Sequence, residues 1–187
     1  MGTVKSLLLG MCFVLGACTS QTSTVQTTEK GTQWEWQNGT IVVKTPERPA
    51  GQKSVLGLTT PKLEAVRVGF VGLGMRGPGA VERFTYIPGT QVVALCDYEE
   101  ARADKCQELL KKASMPKAAV YSGAKGYEEL CKRDDIDLVY IAADWLHHFP
   151  VAKCALENGK NVAIEVPSAM NLQECWDLIN LSESTRK

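Results

Sequence analysis

The chain has 187 residues, 44% of them hydrophobic and 22% charged, with 21 basic residues balancing 21 acidic ones. That length suits one ordinary domain with some tail, not two full domains. A zero formal net charge removes the electrostatic ground for a nucleic-acid partner, and 16 Gly with 8 Pro exclude a collagen-like or wholly disordered chain.

The amino terminus reads as an export signal. Lys5 precedes the apolar run Leu7-Leu8-Leu9-Gly10-Met11-Cys12-Phe13-Val14-Leu15, too short to span a bilayer but long enough for a signal-peptide core. The run ends in Leu15-Gly16-Ala17-Cys18, which is similar to a bacterial lipobox. Residues 1–17 are therefore expected to be a lipoprotein signal peptide and Cys18 the lipidation site. The expected location is the bacterial cell envelope, with the membrane as a partner through the anchor. Residues 18–64 read as tether and linker. Within them Trp34-Glu35-Trp36 and Ile41-Val42-Val43 flank the hairpin signal Asn38-Gly39, and the Pro-containing segments 45–51 and 59–61 read as extended.

Periodicity changes at Val66. Strand-like runs at 66–71, 91–96, 119–121, 137–142 and 161–165 alternate with helix-like segments at 98–113, 127–132, 150–157 and 171–184, and a further helix-forming segment follows the first run. Short apolar strands alternating with helices predict an α/β fold over residues 65–187, a Rossmann-type doubly wound parallel sheet covered on both faces. Cys96, Cys106, Cys131, Cys154 and Cys175 lie in apolar-periodic stretches, contain no C-x-x-C pair and match no zinc spacing. They are expected to be buried structural thiols, and no metal site is expected.

The chemistry-bearing motif is Gly72-Leu73-Gly74-Met75-Arg76-Gly77, a G-x-G-x-x-G that follows the first strand and opens a helix. Asp97 closes the second strand 20 residues beyond Gly77, in the window for a ribose-binding acid. Gly72 permits a tight turn, Gly74 lets backbone approach a pyrophosphate, and Gly77 allows close helix–strand packing. The helix N-terminus beyond them offers unpaired N–H groups and partial positive charge to phosphates. Asp97 favours NAD over NADP because it would repel a 2′-phosphate, although Arg76 could reach one. Trp145 and His148 are expected where the fourth strand ends, on the ligand-binding side of such a sheet, and His147 at the surface.

Taken together, several segments resemble the Gfo/Idh/MocA sugar oxidoreductase superfamily, and within it the NAD-dependent glycoside hydrolase family 109. They are VRVGFVGLGMRG at 66–77, VALCD at 93–97, DDIDLVY at 134–140, Trp145-Leu146-His147-His148, GKNVAIEVP at 159–167 and Glu174-Cys175-Trp176. The linker TPERPAGQKSVLGLTT at 45–60 carries the resemblance further, so that it covers about residues 40–187. It implies NAD as cofactor, with Gly72, Gly74, Met75, Arg76, Gly77, Asp97, Trp145, His148, Glu165 and Val166 as binding residues. Dehydrogenases of the superfamily usually carry Glu-Lys-Pro after the fifth strand, the Lys moving a proton. This chain has Glu165-Val166-Pro167, as the hydrolase family does, and valine transfers no proton.

The resemblance implies hydrolysis of α-linked N-acetylgalactosaminides by transient oxidation at C3, elimination at C1, hydration and re-reduction. It also places the catalytic Tyr and His in a second domain beyond Lys187, so no catalytic residue is expected within this chain. The chain by itself is expected to be inactive, and it reads as the first half of a larger enzyme. Two alternatives stay open: a sugar dehydrogenase of the same superfamily, and a shortened, non-catalytic nucleotide-binding lipoprotein. A homo-oligomer is also open.

Overall fold

A computed structural model describes residues 26–27 and 33–187. Residues 1–17, read above as a signal peptide, and Cys18 lie outside the described residues. The chain divides into two compact units, Met1–Lys44 and Thr45–Lys187.

The first unit contains an antiparallel sheet of β1 (Gln26–Thr27), β2 (Gln33–Gln37) and β3 (Thr40–Val43), in that order. The hairpin between β2 and β3 turns on Asn38 and Gly39, with φ of 51° and 78°. Two successive left-handed residues match the right-handed twist of the strands they join, which is why Asn-Gly announces this turn. The two-residue β1 had no signal in the sequence.

The second unit alternates strand and helix throughout. Its elements are β4 (Val66–Val71), α1 (Gly77–Phe84), β5 (Thr90–Asp97), α2 (Glu100–Lys112), β6 (Ala119–Ser122) and α3 (Gly126–Cys131), then β7 (Leu138–Ile141), α4 (Trp145–Glu157), β8 (Asn161–Ile164) and α5 (Leu172–Thr185). The five strands form one parallel sheet in the order β6-β5-β4-β7-β8. Its central strand β4 buries Val68, Phe70 and Val71, and side chains alternate between two cores. On one face Val68 and Phe70 pack with Ala80, Val81, Ala103 and Leu110 of α1 and α2. On the other, Val71 packs with Leu130, Ile141, Val151 and Ala155. Burial on both faces explains why the strands read as continuous apolar runs.

Two local readings need correction. The sequence places the fourth helix at 150–157, with Pro150 as its start, whereas α4 begins at Trp145 and holds Pro150 inside. Asp144 caps it, accepting a hydrogen bond from the Leu146 N–H at 3.0 Å. That cap begins the helix five residues early, and Trp145 and His148 therefore sit in its opening turns and not at a strand end. The cysteines also divide: Cys96, Cys106 and Cys131 are buried, Cys154 is half-buried, and Cys175 is exposed on α5. Burial pushes the Cys96 thiol up to about 12, helped by the Asp97 charge, and the Cys106 thiol up to about 11 for the same reasons. Thiols held protonated in this way are inert packing groups.

Residues 45–54, extended by composition, have fixed partners on α5. Arg48 pairs with the buried Glu183, donates to Asn180 Oδ1 at 3.3 Å, and stands 5.7 Å from the Trp176 ring centroid. Gln52 donates to the Asn180 carbonyl at 2.9 Å, and Arg186 donates back to the Lys53 and Ser54 carbonyls. The compact nucleotide-fold unit accordingly begins at Thr45, with this segment strapped along its last helix.

Arg67 on β4 and Asp137 before β7 lock the bottom of the sheet. The guanidinium is bidentate on the carboxylate, at 2.9 Å from Nε to Oδ2 and 2.7 Å from Nη2 to Oδ1, and the Arg67 N–H also donates to Oδ2 at 2.8 Å. The Arg67 bonds hold the Asp137 carboxyl below the ordinary carboxylate range, against a smaller opposing effect of burial. A carboxylate with a depressed folded-state pKa stabilises the fold above its unfolded pKa, and that contribution disappears as pH falls through the folded value. Urea midpoints measured across pH should therefore decline below about pH 4. In Asp137→Asn the decline should be shallower, from a lower starting stability at neutral pH.

Candidate functional site

The strand order sets the position of the site. The chain winds outward from β4 through β5 and β6, then returns to lay β7 on the other side of β4. At such a reversal the loops leaving the strand ends diverge, and a crevice opens at the carboxyl edge of the sheet. Here it is a cleft of about 930 Å³. Its wall includes Gly74 and Arg76 from the β4–α1 turn, Asp97 from β5, and Trp145, His148 and Val166 from the segments after β7 and β8.

The three motif glycines are required for different reasons. Gly72 has φ of +89°, and a Cβ there would lie 2.3 Å from the Ala143 backbone nitrogen. A Cβ on Gly77 would lie 2.1 Å from the Gly72 carbonyl oxygen. Both clashes are with backbone, so folding itself demands these two glycines. Gly74 is different. A Cβ there would meet only the tip of Arg102, at 3.5 Å. Among the described residues nothing requires glycine at 74, whereas a pyrophosphate lying on the loop would. Beside it α1 starts at Gly77 with no side chain capping its N-terminus and with Pro78, which has no N–H to satisfy, in its first turn. Arg76 occupies the N-cap position itself, and Met75 is almost fully exposed.

Asp97 lies at the end of β5, as its spacing predicts, but it is 6% exposed and engaged by the protein. Its Oδ2 accepts the Leu73 N–H at 2.6 Å, and Oδ1 accepts the Glu99 N–H at 3.0 Å and Arg102 Nη1 at 3.4 Å. The carboxylate thus ties the phosphate loop to β5 before any ligand arrives. Arg102 also binds Glu99 at 3.0 Å and was not singled out from the sequence. Its place in the first turn of α2, five residues past the acid, is the signal that could have found it.

The opposite end of the cleft is built by the segments after β7 and β8. Trp145 and Val166 are 60% and 83% exposed there. His148 is buried, with Nδ1 2.7 Å from the Pro167 carbonyl oxygen and Nε2 2.9 Å from that of Ala143. Each ring nitrogen lies against a backbone carbonyl, and the imidazole N–H donates to one of them, so His148 holds the two segments together. Glu165 accepts the Tyr140 hydroxyl at 2.7 Å. Burial first, and that bond second, raise the Tyr140 phenol above its ordinary value. Sequence reasoning left His147 as a surface residue. It is at the surface, but it also lines the cleft and pairs through Nδ1 with Asp144 Oδ2 at 2.6 Å. The spacing D-x-x-H at a helix start was the available signal.

Residues 66–187 match the family model described as an oxidoreductase family with an NAD-binding Rossmann fold, Gfo/Idh/MocA. The chain belongs to this family. It is 79% identical over its whole length to glycosyl hydrolase family 109 protein 4 of Phocaeicola vulgatus, of which it covers 36%. It is 56% identical, over 98% of its length, to glycosyl hydrolase family 109 protein 1 of Bacteroides thetaiotaomicron, of which it covers 38%. The chain therefore spans little more than a third of these curated relatives. Among solved structures, myo-inositol dehydrogenase from Lactobacillus casei, in complex with NAD(H) and myo-inositol, superimposes with a TM-score of 0.57. That match has 25% identity over 64% of this chain and 34% of the other. The second unit is an NAD-binding Rossmann domain, and the open loop at Gly74, the uncapped α1 and the seated Asp97 fit that cofactor.

The glycines separate folding from binding. Gly72→Ala and Gly77→Ala should each cost at least about 2 kcal/mol in urea unfolding, because backbone must move. Gly74→Ala should change stability by less than about 1 kcal/mol yet weaken NAD binding at least about tenfold in a fluorescence titration.

Proposed function

We propose that the longer protein to which this chain corresponds hydrolyses α-linked N-acetylgalactosaminides, with this domain holding NAD for the reaction. The observation that carries the reading is Val166, exposed at the β8 end of the cleft between Glu165 and Pro167. An ordinary dehydrogenase needs a proton-moving group at this point, and valine is not one. The names of the relatives at 79% and 56% identity support the same reading. Bound NAD supplies a reversible hydride acceptor, which allows a sugar carbon to be oxidised and later restored within one turnover. For this chain the work is binding and orientation. The α1 N-terminus and the Gly74 backbone receive the pyrophosphate, Asp97 faces the adenosine ribose, and Trp145 and Val166 border the nicotinamide half. No pair of carboxylates flanking a glycosidic bond is needed for such a route.

The likeness to a myo-inositol dehydrogenase favours a second reading, oxidation of a free sugar or polyol. The two differ in net redox change. An aryl α-N-acetylgalactosaminide should release its aryl alcohol from the longer protein with no added electron acceptor and no net NADH. Accumulation of NADH in step with product would support the dehydrogenase. For the 187-residue chain, saturating NAD should raise the melting temperature, by about 2.7 kcal/mol of added stability at a hundredfold excess over Kd. A melting temperature unmoved by NAD would count against the whole reading.

The lipobox-like segment supports anchoring of the longer protein at Cys18 on the cell envelope. Cys18→Ser should shift it from the membrane fraction to the soluble fraction after cell disruption.

A further inference from the structure

The core beneath α3 and α4 brings together three cysteines: Cys96 from β5, Cys131 closing α3, and Cys154 in the last turn of α4. By sequence all three are packing groups. In the fold two of them form a pair. Cys131 and Cys154 pack side by side in this core, both as free thiols, and a hydrogen bond joins their sulfurs.

The two sulfurs are unequal. Cys131 is fully buried, and burial first, then its Cys154 neighbour, raises its thiol above the ordinary value. Cys154 is half-buried. Burial raises it too, but there the shared hydrogen bond and the Lys132 charge favour the thiolate. Asn158 Nδ2 also donates to the Cys154 sulfur at 3.8 Å. Thiol–disulfide exchange needs one thiol that an oxidant can reach and a second waiting against it. Cys154 is the first and Cys131 the second. Cys96 and Cys106 are buried and have no hydrogen-bonded thiol among the described residues.

We propose that Cys131 and Cys154 are a disulfide site, which staples the end of α3 to the end of α4 when the protein meets a disulfide oxidant. The Cys154 thiolate attacks the oxidant's disulfide, and one oxidant thiol leaves. Cys131 then gives up its proton and attacks the Cys154 sulfur, expelling the second oxidant thiol. In the protein one S–S bond replaces two S–H bonds, and both electrons and both protons end on the oxidant as two thiols. Such bonds persist in oxidising compartments, so the role in the cell rests on the reading that the longer protein is exported through its lipobox-like leader. The loop that closes spans residues 131–154. It contains β7 and the Asp144-capped start of α4, where Trp145 borders the cleft. Closing it removes freedom from the unfolded chain and fixes the helix that carries the cleft wall.

The 187-residue chain is equilibrated with oxidised and reduced glutathione, quenched with an alkylating agent, unfolded and digested, and its peptides are weighed. At an oxidising ratio the peptides of Cys131 and Cys154 should be joined, two hydrogens lighter than their sum, with Cys96 and Cys106 alkylated. The joined form should melt at least about 4 °C above the reduced one. Cys154→Ser should remove both the link and the dependence of melting on the glutathione ratio. Alkylation of Cys131 and Cys154 at every ratio would overturn the proposal. So would a link from either to another cysteine, or a joined form that melts no higher than the reduced one. Should Cys154→Ser fail to fold, the masses and melting of the unaltered chain decide alone. None of these readouts depends on where cells place the protein. A chain that never forms the link leaves anchoring at Cys18 standing, and failure of Cys18→Ser to move the longer protein leaves the thiol pair standing.

Discussion

The turn that ends β4 passes between two neighbouring strands, and there is room for backbone but not for a side chain. The Gly72 N–H donates to the Cys96 carbonyl of β5 at 2.9 Å, while the Val71 carbonyl accepts the Ala142 N–H beyond β7 at 2.8 Å. One peptide step is thus shared between the two directions in which the sheet is wound. The φ of +89° at Gly72 redirects the chain upward, and the next contact in the series is Gly77 against the Gly72 carbonyl. The position of α1, the reach of the Leu73 N–H to Asp97, and the opening of the cleft between β4 and β7 all follow from that crossing.

A division of labour results that residue types alone would not suggest. The buried polar side chains at the site, Asp97 and His148, hold protein to protein. Asp97 fastens the phosphate loop to β5, and His148 fastens the start of α4 to the segment after β8. Satisfied buried polar groups of this kind rigidify a site because losing either partner leaves an uncompensated donor or acceptor. The surfaces turned to a ligand are instead backbone at Gly74 and the α1 N-terminus, with exposed Met75, Trp145 and Val166. A dinucleotide is long and bears its charge near the middle, so a preformed backbone cradle with flanking apolar surfaces suits it.

Much of this was legible along the chain. The order strand, G-x-G-x-x-G, helix, strand, acid is a local record of one βαβ unit, and the central strands β4, β5 and β7 announced themselves as apolar runs because residues on both of their faces are buried. The Asn38-Gly39 hairpin was legible for a similar reason, since its turn chemistry is local. The start of α4 was not. Pro150 is a strong helix-start signal taken singly, but Asp144 caps the chain earlier and the proline is carried inside. The strap on α5 was equally hidden: Arg48 and Glu183 are 135 positions apart, and composition around Arg48 speaks only of extended chain.

What the chain's local order settles is the class of fold, the family and the cofactor loop, because turn conformations, capping and strand periodicity are decided by residues within a few positions of one another. What packing settles is which polar groups remain available. His148 is committed to the fold, Asp97 holds the phosphate loop while still lining the cleft, and His147, a surface residue by sequence, becomes one half of a pair at the cleft's edge. Availability depends on which partners the folded backbone brings within hydrogen-bond reach, and those partners lie on other strands or past a helix cap that no single stretch of sequence reveals.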